Sequence, residues 1–206
     1  MLQTICLSTA YLAPVDYYSQ LNSGKPIVIE RYCHYIKQTF RNRCVIVSAN
    51  GPLTLSIPIE KPSTTKCLTK DIRISEHGNW RHIHWNAILS AYRSTPFFDY
   101  YEDDFRPFYE KKQAFLFDFN ESLRIMICEL IDIYPKVAYS SFFQRDLSPE
   151  TMDLRESIHP KKDHMQKDIK PYDQVQMFKF GFIPYVSIID LLFNMGSESV
   201  FYLQKT

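Results

Sequence analysis

The chain has 206 residues, of which 45% are hydrophobic and 15% aromatic, and its formal net charge is +1. This length and composition fit one globular domain spanning residues 1–206, and the near-neutral charge gives no overall attraction to nucleic acid. With five glycines and neither a GxxxxGK[ST] nor a GxGxxG motif, the chain lacks the signatures of P-loop and Rossmann dinucleotide-binding proteins.

The cysteines and the hydropathy pattern indicate where the protein resides. Five scattered cysteines without a CxxC pair are typical of reduced thiols in a cytoplasmic protein. No signal-like N-terminus and no apolar run of about 18 residues occurs. We therefore expect a cytoplasmic protein with no transmembrane segment.

The first half of the chain has strand patterns. An apolar strand at Leu2–Ser8, a short helix at Val15–Leu21 and a second strand at Pro26–Glu30 predict a βαβ unit with parallel strands. Asn50-Gly51 is a strong hairpin signal between two of the strands that follow. Those further strands are predicted at His34–Thr39, Arg43–Ala49, Pro52–Ile59 and Asp71–Ser75.

The second half has mostly helical patterns. Residues 145–170 are charged and contain proline, which predicts a mobile loop with one helical turn near Thr151–Ser157. A strand is predicted at Val137–Gln144. Helices are predicted at Trp80–Arg93, Asp99–Phe105, Phe108–Lys112, Asp118–Ile133, Tyr172–Phe180 and Ser187–Asn194. The fold class is α+β: a mixed β-sheet formed mainly by the N-terminal third (βαβ start plus hairpin), followed by a helical C-terminal two-thirds.

Two groups of cations are candidates for an anion site. Arg81 lies on the apolar stripe of the Trp80 helix, beside open backbone N–H groups that can bind a phosphate or carboxylate. It could instead extend outward to solvent or pair with a buried acid. Lys37, Arg41 and Arg43 would share one face of an extended segment, where they either bind an anion or form a solvated surface.

Histidine and aromatic residues add further candidates. On a helix His82 and His84 point about 200° apart, so no metal site is predicted, and His84 is more plausible as a general base. The segment around Arg155 and Lys161 could close over an anionic ligand or remain a solvated loop. The aromatic residues of 97–109 suit either a sugar or base ligand or the core.

Taken with these residues, the chain resembles the WbqC-like family. The resemblance covers nearly the whole chain in order, and it differs in Ser8-Thr-Ala-Tyr11-Leu-Ala-Pro14 and in Arg31-Tyr32 with His34. The matching stretches are Tyr35-Ile-Lys-Gln-Thr-Phe-Arg-Asn-Arg43, Trp80-Arg-His-Ile-His-Trp85, Ser90-Ala-Tyr-Arg-Ser-Thr-Pro-Phe-Phe98, Asp118-Phe-Asn120, Asp153-Leu-Arg155 with Pro160-Lys161, and Gly181 to Asn194.

The resemblance implies a context in bacterial O-antigen and other surface polysaccharide biosynthesis. It implies a transferase that attaches an aminoacyl (glycyl) or acyl group to an amino sugar of a sugar precursor. A non-catalytic ligand-binding or scaffolding protein of the same pathway is the alternative. Binding of single-stranded nucleic acid is disfavoured by the neutral overall charge.

The predicted site brings the early β region and the Trp80 helix around one hollow that binds a nucleotide-sugar or another phosphorylated or activated small molecule. No metal is predicted in the site, and a cofactor is left unassigned. The predicted catalytic residues are His84, Arg81 and Asn42. The predicted substrate-binding residues are Lys37, Arg41, Arg43, Trp85, Tyr92, Tyr11, Arg155 and Lys161.

Overall fold

The βαβ unit predicted at the start of the chain is present. The computed structural model describes residues 3–62, 64, 66–161 and 169–204. Strands β1 (Thr4–Ser8) and β2 (Ile27–Glu30) pair in parallel around helix α1 (Val15–Leu21). Both strands are continuous apolar runs because a parallel sheet is buried on its two faces.

Two short strands complete a parallel sheet. Strand β5 (Val137–Tyr139) pairs with β2, and β6 (Thr151–Asp153) pairs with β1, which gives the order β5-β2-β1-β6. From β1 the chain adds β2 and then β5 on one side of the sheet, and it then adds β6 on the other side of β1, so the strand order reverses between β1 and β6. Because all four strands are parallel, their carboxyl ends lie along one edge.

The predicted hairpin forms a separate two-stranded sheet. Strands β3 (Arg43–Ser48) and β4 (Gly51–Ser56) pair antiparallel, with Ser48 opposite Gly51. Gly51 has a φ of +102°, a conformation that favours glycine.

The helices cover both sheets and form most of the core. Phe193, which is fully buried, contacts the rings of Tyr92, Phe98 and Phe105 and so joins three helices. None of the helices in the described part of the chain is both long and apolar enough to cross a membrane. The helices are α2 (Trp80–Tyr92), α3 (Phe98–Glu110), α4 (Leu116–Leu130), α5 (Met177–Phe180), α6 (Ile188–Met195) and α7 (Ser199–Tyr202).

Two strand predictions in the first half were wrong. His34–Thr39 forms turns: Gln38 has a φ of +61° and the Thr39 hydroxyl donates to the Ile36 carbonyl at 3.0 Å. Within Asp71–Ser75 only isolated bridges occur, because its pairing partners Ile59 and Phe115 belong to different segments.

The division of α3 was also wrong. Pro107 lies inside one continuous helix rather than between two. Burial of Phe105 and Tyr109 on either side of the proline holds the last turn against the core, although the proline ring supplies no N–H.

The predicted loop at 145–170 contains a strand in its described part. Of the predicted helical turn near Thr151–Ser157, the first three residues form β6 instead, because the edge of β1 offers them a hydrogen-bonding ladder: Leu154 N–H donates to the Cys6 carbonyl at 2.9 Å. A single turn follows, in which Ser157 N–H donates to the Leu154 carbonyl at 3.3 Å. Residues 162–168 of the predicted mobile loop lie outside the described residues.

Helix boundaries in the second half shift by a few residues. α4 begins at Leu116, so Asp118 lies in its first turn and Glu121 faces the interior, and neither forms the predicted capping box. The helix predicted at Tyr172–Phe180 is confined to α5. The predicted cap at Ser187 is present, its hydroxyl accepting from Ile189 N–H at 3.4 Å.

Candidate functional site

Charged and hydroxyl side chains gather at the carboxyl edge of the parallel sheet. Ser8 ends β1, Glu30 ends β2, and Asp153 with Arg155 ends β6. Arg41 reaches the same edge from the loop before β3. Open parallel sheets bind ligands outside the carboxyl ends of their strands, at the point where the strand order reverses. For this sheet that point lies between β1 and β6.

Arg41 is the most deeply buried cation at this edge, with 2% of its side chain exposed. Its Nη2 donates to Ser8 Oγ at 2.8 Å and to Glu156 Oε1 at 2.5 Å, and Nη1 donates to Thr39 Oγ1 at 3.3 Å. Its Nε has no acceptor among the described residues. Burial alone would lower the pKa of Arg41, but the hydrogen bond and charge of Glu156 raise it above the ordinary value. The guanidinium is therefore a permanent buried cation.

Arg155 has a different set of partners. Its Nε and Nη2 grip Asp153 at 2.9 and 2.6 Å, which lowers the pKa of that carboxyl, and its Nη groups donate to the carbonyls of Gln144 and Arg145. Glu30 lies 3.8 Å away, also buried. Arg155 thus holds the β5–β6 connection against the sheet. Because most of its N–H groups already have internal acceptors, fewer of them are available to a ligand than in Arg41.

A cavity of about 10 Å³ lies between these elements. It is lined by the end of β1, by Thr39 and Arg41, and by Leu154, Arg155 and Ile158. This volume holds about one water molecule. Glu156, whose side chain is 45% exposed, stands at the outer side of Arg41. The anion that Arg41 binds in this structure is therefore the protein's own carboxylate.

Two predicted lysines lie on the outer rim of the same region. Lys161 Nζ is 3.5 Å from Oε1 of Gln38, and Lys37 is exposed in the same turn. The structure thus brings Lys37, Arg41, Arg155 and Lys161 to one region.

Asn42 and Arg43 connect this edge to the hairpin. The Asn42 amide donates to the Ile57 carbonyl at 2.9 Å, and Ile57 N–H donates back to the Asn42 carbonyl at 2.7 Å. Arg43 is half-buried at the start of β3, and its Nε has no partner among the described residues. Asn42 therefore fastens the end of β4.

His84 lies inside the molecule. Its Nδ1 is 2.9 Å from the hydroxyl of Tyr11, and it forms a second hydrogen bond with the Ser56 backbone. Burial lowers the pKa of His84 to about 4. Because this neutral ring already uses its hydrogen bonds, it would have to break one to take a proton from a substrate. This arrangement suits a positioning residue.

Tyr11 and Tyr92 are also buried. The Tyr11 N–H donates to the Phe40 carbonyl near the cavity, and its hydroxyl lies 2.9 Å from that of Tyr109. Tyr11 thus runs from the sheet edge to the interior of the helical layer. The Tyr92 hydroxyl accepts from Val47 N–H at 3.1 Å, which ties α2 to β3.

Arg81 and Trp85 line a separate groove of about 490 Å³. Arg81 donates from both Nη atoms to Glu76, at 2.6 and 2.7 Å. Pairing with an acid was one of the alternatives that the sequence left open, although Glu76 is exposed rather than buried. The structure does not bring Arg81 to the cavity of Arg41 and Arg155.

Several residues of the site escaped the sequence analysis. Glu156, Glu30 and Ser8 contact the two arginines, and buried Glu121 accepts from Thr9 at 3.0 Å and from Arg124 at 2.8 Å. One signal was available: Glu30 is the charged residue that ends the predicted strand Pro26–Glu30, and open parallel sheets bind ligands outside the carboxyl ends of their strands. Across the residues that the structure describes, no three His, Cys, Asp or Glu side chains cluster to hold a metal.

Comparison with known proteins places the chain in a family without naming an activity. Over 99% of its length it is 23% identical to the uncharacterized protein Rv1507c of Mycobacterium tuberculosis strain H37Rv, 98% of which is covered. No solved structure matches it significantly. The WbqC-like protein family model matches residues 9–160, about three quarters of the chain. The chain belongs to the WbqC-like protein family.

Proposed function

We propose that this protein is a transferase that binds a nucleotide-sugar at the carboxyl edge of its parallel sheet and attaches an aminoacyl or acyl group to the amino sugar. The observation that carries the proposal is the position of Arg41, a buried guanidinium at the reversal point of the strand order. Arginine binds phosphate oxygens in a bidentate manner, which suits the diphosphate of such a substrate.

In this proposal the diphosphate replaces Glu156 as the partner of Arg41. The exchange keeps the charge of the buried arginine compensated, because one anion leaves as another arrives. The cavity beside Arg41, which in its present form has room for about one water, must also widen to admit the substrate. Lys37 and Lys161 lie on the rim where the rest of the substrate would pass.

The chemistry is acyl transfer to an amine. The amino group of the sugar attacks the carbonyl carbon of a thioester or ester donor, a C–N bond forms, and the bond from that carbon to sulfur or oxygen breaks. The displaced Glu156 carboxylate accepts the proton of the amine, and the leaving thiolate or alkoxide takes a proton from solvent. Three predicted catalytic residues act as positioning residues in this proposal. His84 holds Tyr11, Asn42 fastens the hairpin, and Arg81 holds the wall of its separate groove.

Thermal unfolding with and without a UDP-linked amino sugar or UDP tests the binding step. A ligand at about 100 times its Kd stabilises the folded state by about 2.7 kcal/mol. We expect stabilisation of the wild type and a loss of most of it in Arg41→Lys, which keeps the charge but not the bidentate fork. The exposed Arg93→Lys is the matched control and should behave as wild type.

Glu156→Gln separates binding from transfer. Removing the internal carboxylate frees Arg41, so the affinity for UDP should rise by about tenfold, whereas transfer measured by the mass gain of the sugar should fall sharply. Glu150→Gln changes the same charge at an exposed position just before β6, at the opposite end of that strand, and should alter neither. Unchanged or weaker UDP binding in Glu156→Gln would contradict the exchange.

A non-catalytic ligand-binding protein of the same pathway is the second candidate. Its support is the extent to which Arg155 is already committed to internal partners. Nucleotide-sugar binding with no mass gain from thioester and aminoacyl donors would favour it. We further propose that the protein acts in the cytoplasm, whichever of the two functions it has. Its five free cysteines support this location.

A further inference from the structure

We propose that the groove lined by Trp85 and Arg81 is a binding site for a neutral saccharide, distinct from the anion site at Arg41. This groove lies where α2 begins beside the end of α3. Its lining also includes Glu76, Asn79, His82 and Tyr109. Its volume of about 490 Å³ lies within the range of small-molecule sites.

A rigid aromatic surface forms one wall. The rings of Trp85 and Tyr109 are stacked, with centroids 5.5 Å apart and planes at 27°, and Phe98 supports Trp85 from 6.3 Å. The Tyr109 hydroxyl is fixed inside the protein by Tyr11, whereas Trp85 stays partly exposed. A partly exposed indole that packs against two other rings is suited to contact with the apolar face of a sugar ring.

Hydrogen-bond donors and acceptors both line the groove beside this aromatic wall. Arg81, which is 9% exposed, holds the Glu76 carboxylate with two bonds. Asn79 and His82 are exposed on the rim, and Nε2 of His82 lies 2.8 Å from the side-chain amide nitrogen of Asn86. Carboxylate, guanidinium, amide and imidazole together can accept from and donate to the hydroxyls of one sugar.

The charges indicate a neutral ligand. Arg81 and Lys112 both lie within ion-pair distance of Glu76, at 2.6 and 3.6 Å, and Glu110 also lines the groove, so two carboxylates balance its two cations. A phosphate would have to compete with Glu76 for them, and an apolar ligand would leave these polar groups without partners. A polyhydroxylated ring meets both conditions.

The two tryptophans of the chain make the site measurable. Trp80 is 4% exposed and Trp85 lines the groove, so a ligand there changes the emission of Trp85 first. The probes are methyl glycosides of hexoses, 6-deoxyhexoses and N-acetylhexosamines, and disaccharides built from them. We expect a saturable emission change and ligand-observed NMR signals of binding for at least one class.

Variants assign the binding to the groove. Trp85→Leu should weaken NMR-detected binding by about tenfold, a loss of about 1.4 kcal/mol, because it removes the aromatic face against which the sugar ring packs. Glu76→Gln should also weaken it, whereas Tyr100→Leu, an exposed aromatic change on α3, should not. Denaturant unfolding of each variant confirms that it is folded.

Arg41→Lys separates this inference from the proposed function. It should leave saccharide binding within twofold of wild type even where it abolishes UDP binding. The inference is overturned by three results: no probe binds, binding survives Trp85→Leu, or uridine and thymidine bind the groove in preference to every saccharide.

Discussion

Between Tyr35 and Arg43 the chain buries four polar atoms that lack a partner among the described residues. They are the Tyr35 hydroxyl, the Nε atoms of Arg41 and Arg43, and Oδ1 of Asn42. Each such atom costs about 1–3 kcal/mol, so a group of them in nine residues is more typical of a binding site than of a core. Burial also raises the pKa of Tyr35 to about 12, so its hydroxyl stays protonated and can donate.

The depressed pKa of His84 predicts a pH dependence of stability. Burial lowers this pKa from 6.5 to about 4, so between these values the unfolded chain binds a proton that the folded chain does not. The stability that neutral, buried His84 provides is fully present above pH 6.5 and is lost as the pH falls towards 4. Between pH 7 and pH 5 the free energy of unfolding should fall by about 2 kcal/mol from this residue.

Urea unfolding of His84→Gln at the two pH values measures this contribution. The variant is expected to be less stable at pH 7, but its loss between pH 7 and pH 5 should be smaller than that of the wild type by about 2 kcal/mol. His82→Gln, at an exposed position of the same helix, should retain the wild-type loss. An equal loss in His84→Gln and wild type would mean that other groups cause the pH dependence.

At the scale of elements, the end of α6 depends on one glycine. Gly196 has a φ of +58°, and a Cβ placed there would lie 2.6 Å from the ring of Phe97. Gly196→Ala should therefore carry both a backbone cost of about 1–2 kcal/mol and an overpacking cost of about 1–3 kcal/mol.

Gly24→Ala is the matched control for this prediction. Gly24 has a φ of +72°, and a Cβ there meets nothing within 4 Å, so only the backbone cost applies. The difference between the two variants in denaturant unfolding gives the cost of crowding Phe97. Equal destabilisation would show that Phe97 moves aside freely.

The elements that sequence predicted well have a pattern visible within a few residues. The apolar strands at the start, the hairpin at Asn50-Gly51 and the helix from Trp80 are all present. Strand β6 was missed because its three residues are held only by pairing with β1, a contact some 147 residues distant in sequence. Short strands of this kind carry almost no local signal.

For the candidate site, too, local patterns were visible in the sequence and contacts between distant segments were not. Charge and spacing identified Arg41 and Arg155, but the link to Glu156 spans 115 residues and appears only when β6 docks. Helical spacing placed Arg81 on the inner stripe of α2 and His84 at its edge, yet it could not show that Arg81 pairs with Glu76 in another groove. Which charges share a hollow is decided by topology rather than by local pattern.

For the whole molecule, the C-terminal segment belongs to the same core as the region matched by the family. The match ends at residue 160, whereas Ile188 to Phe193 of α6 are almost completely buried, and Asp190 accepts from Tyr172 at 2.7 Å and Gln174 at 2.8 Å. We therefore expect the described residues to unfold as one cooperative unit, as a single domain does.

Phe193→Ala tests this expectation, because Phe193 contacts α2 and α3 while lying beyond the family match. Removing its ring should lower the free energy of unfolding by about 3–5 kcal/mol. Phe201→Ala, a change of the same size at a 61% exposed side chain, should cost less than about 0.5 kcal/mol. Tryptophan emission reports on α2 and far-UV circular dichroism on all the helices, so in a single unit both transitions shift together. If Phe193→Ala moved the circular dichroism transition and left the emission of Trp80 and Trp85 unchanged, the C-terminal helices would form a separate unit, since loss of their packing would not reach α2.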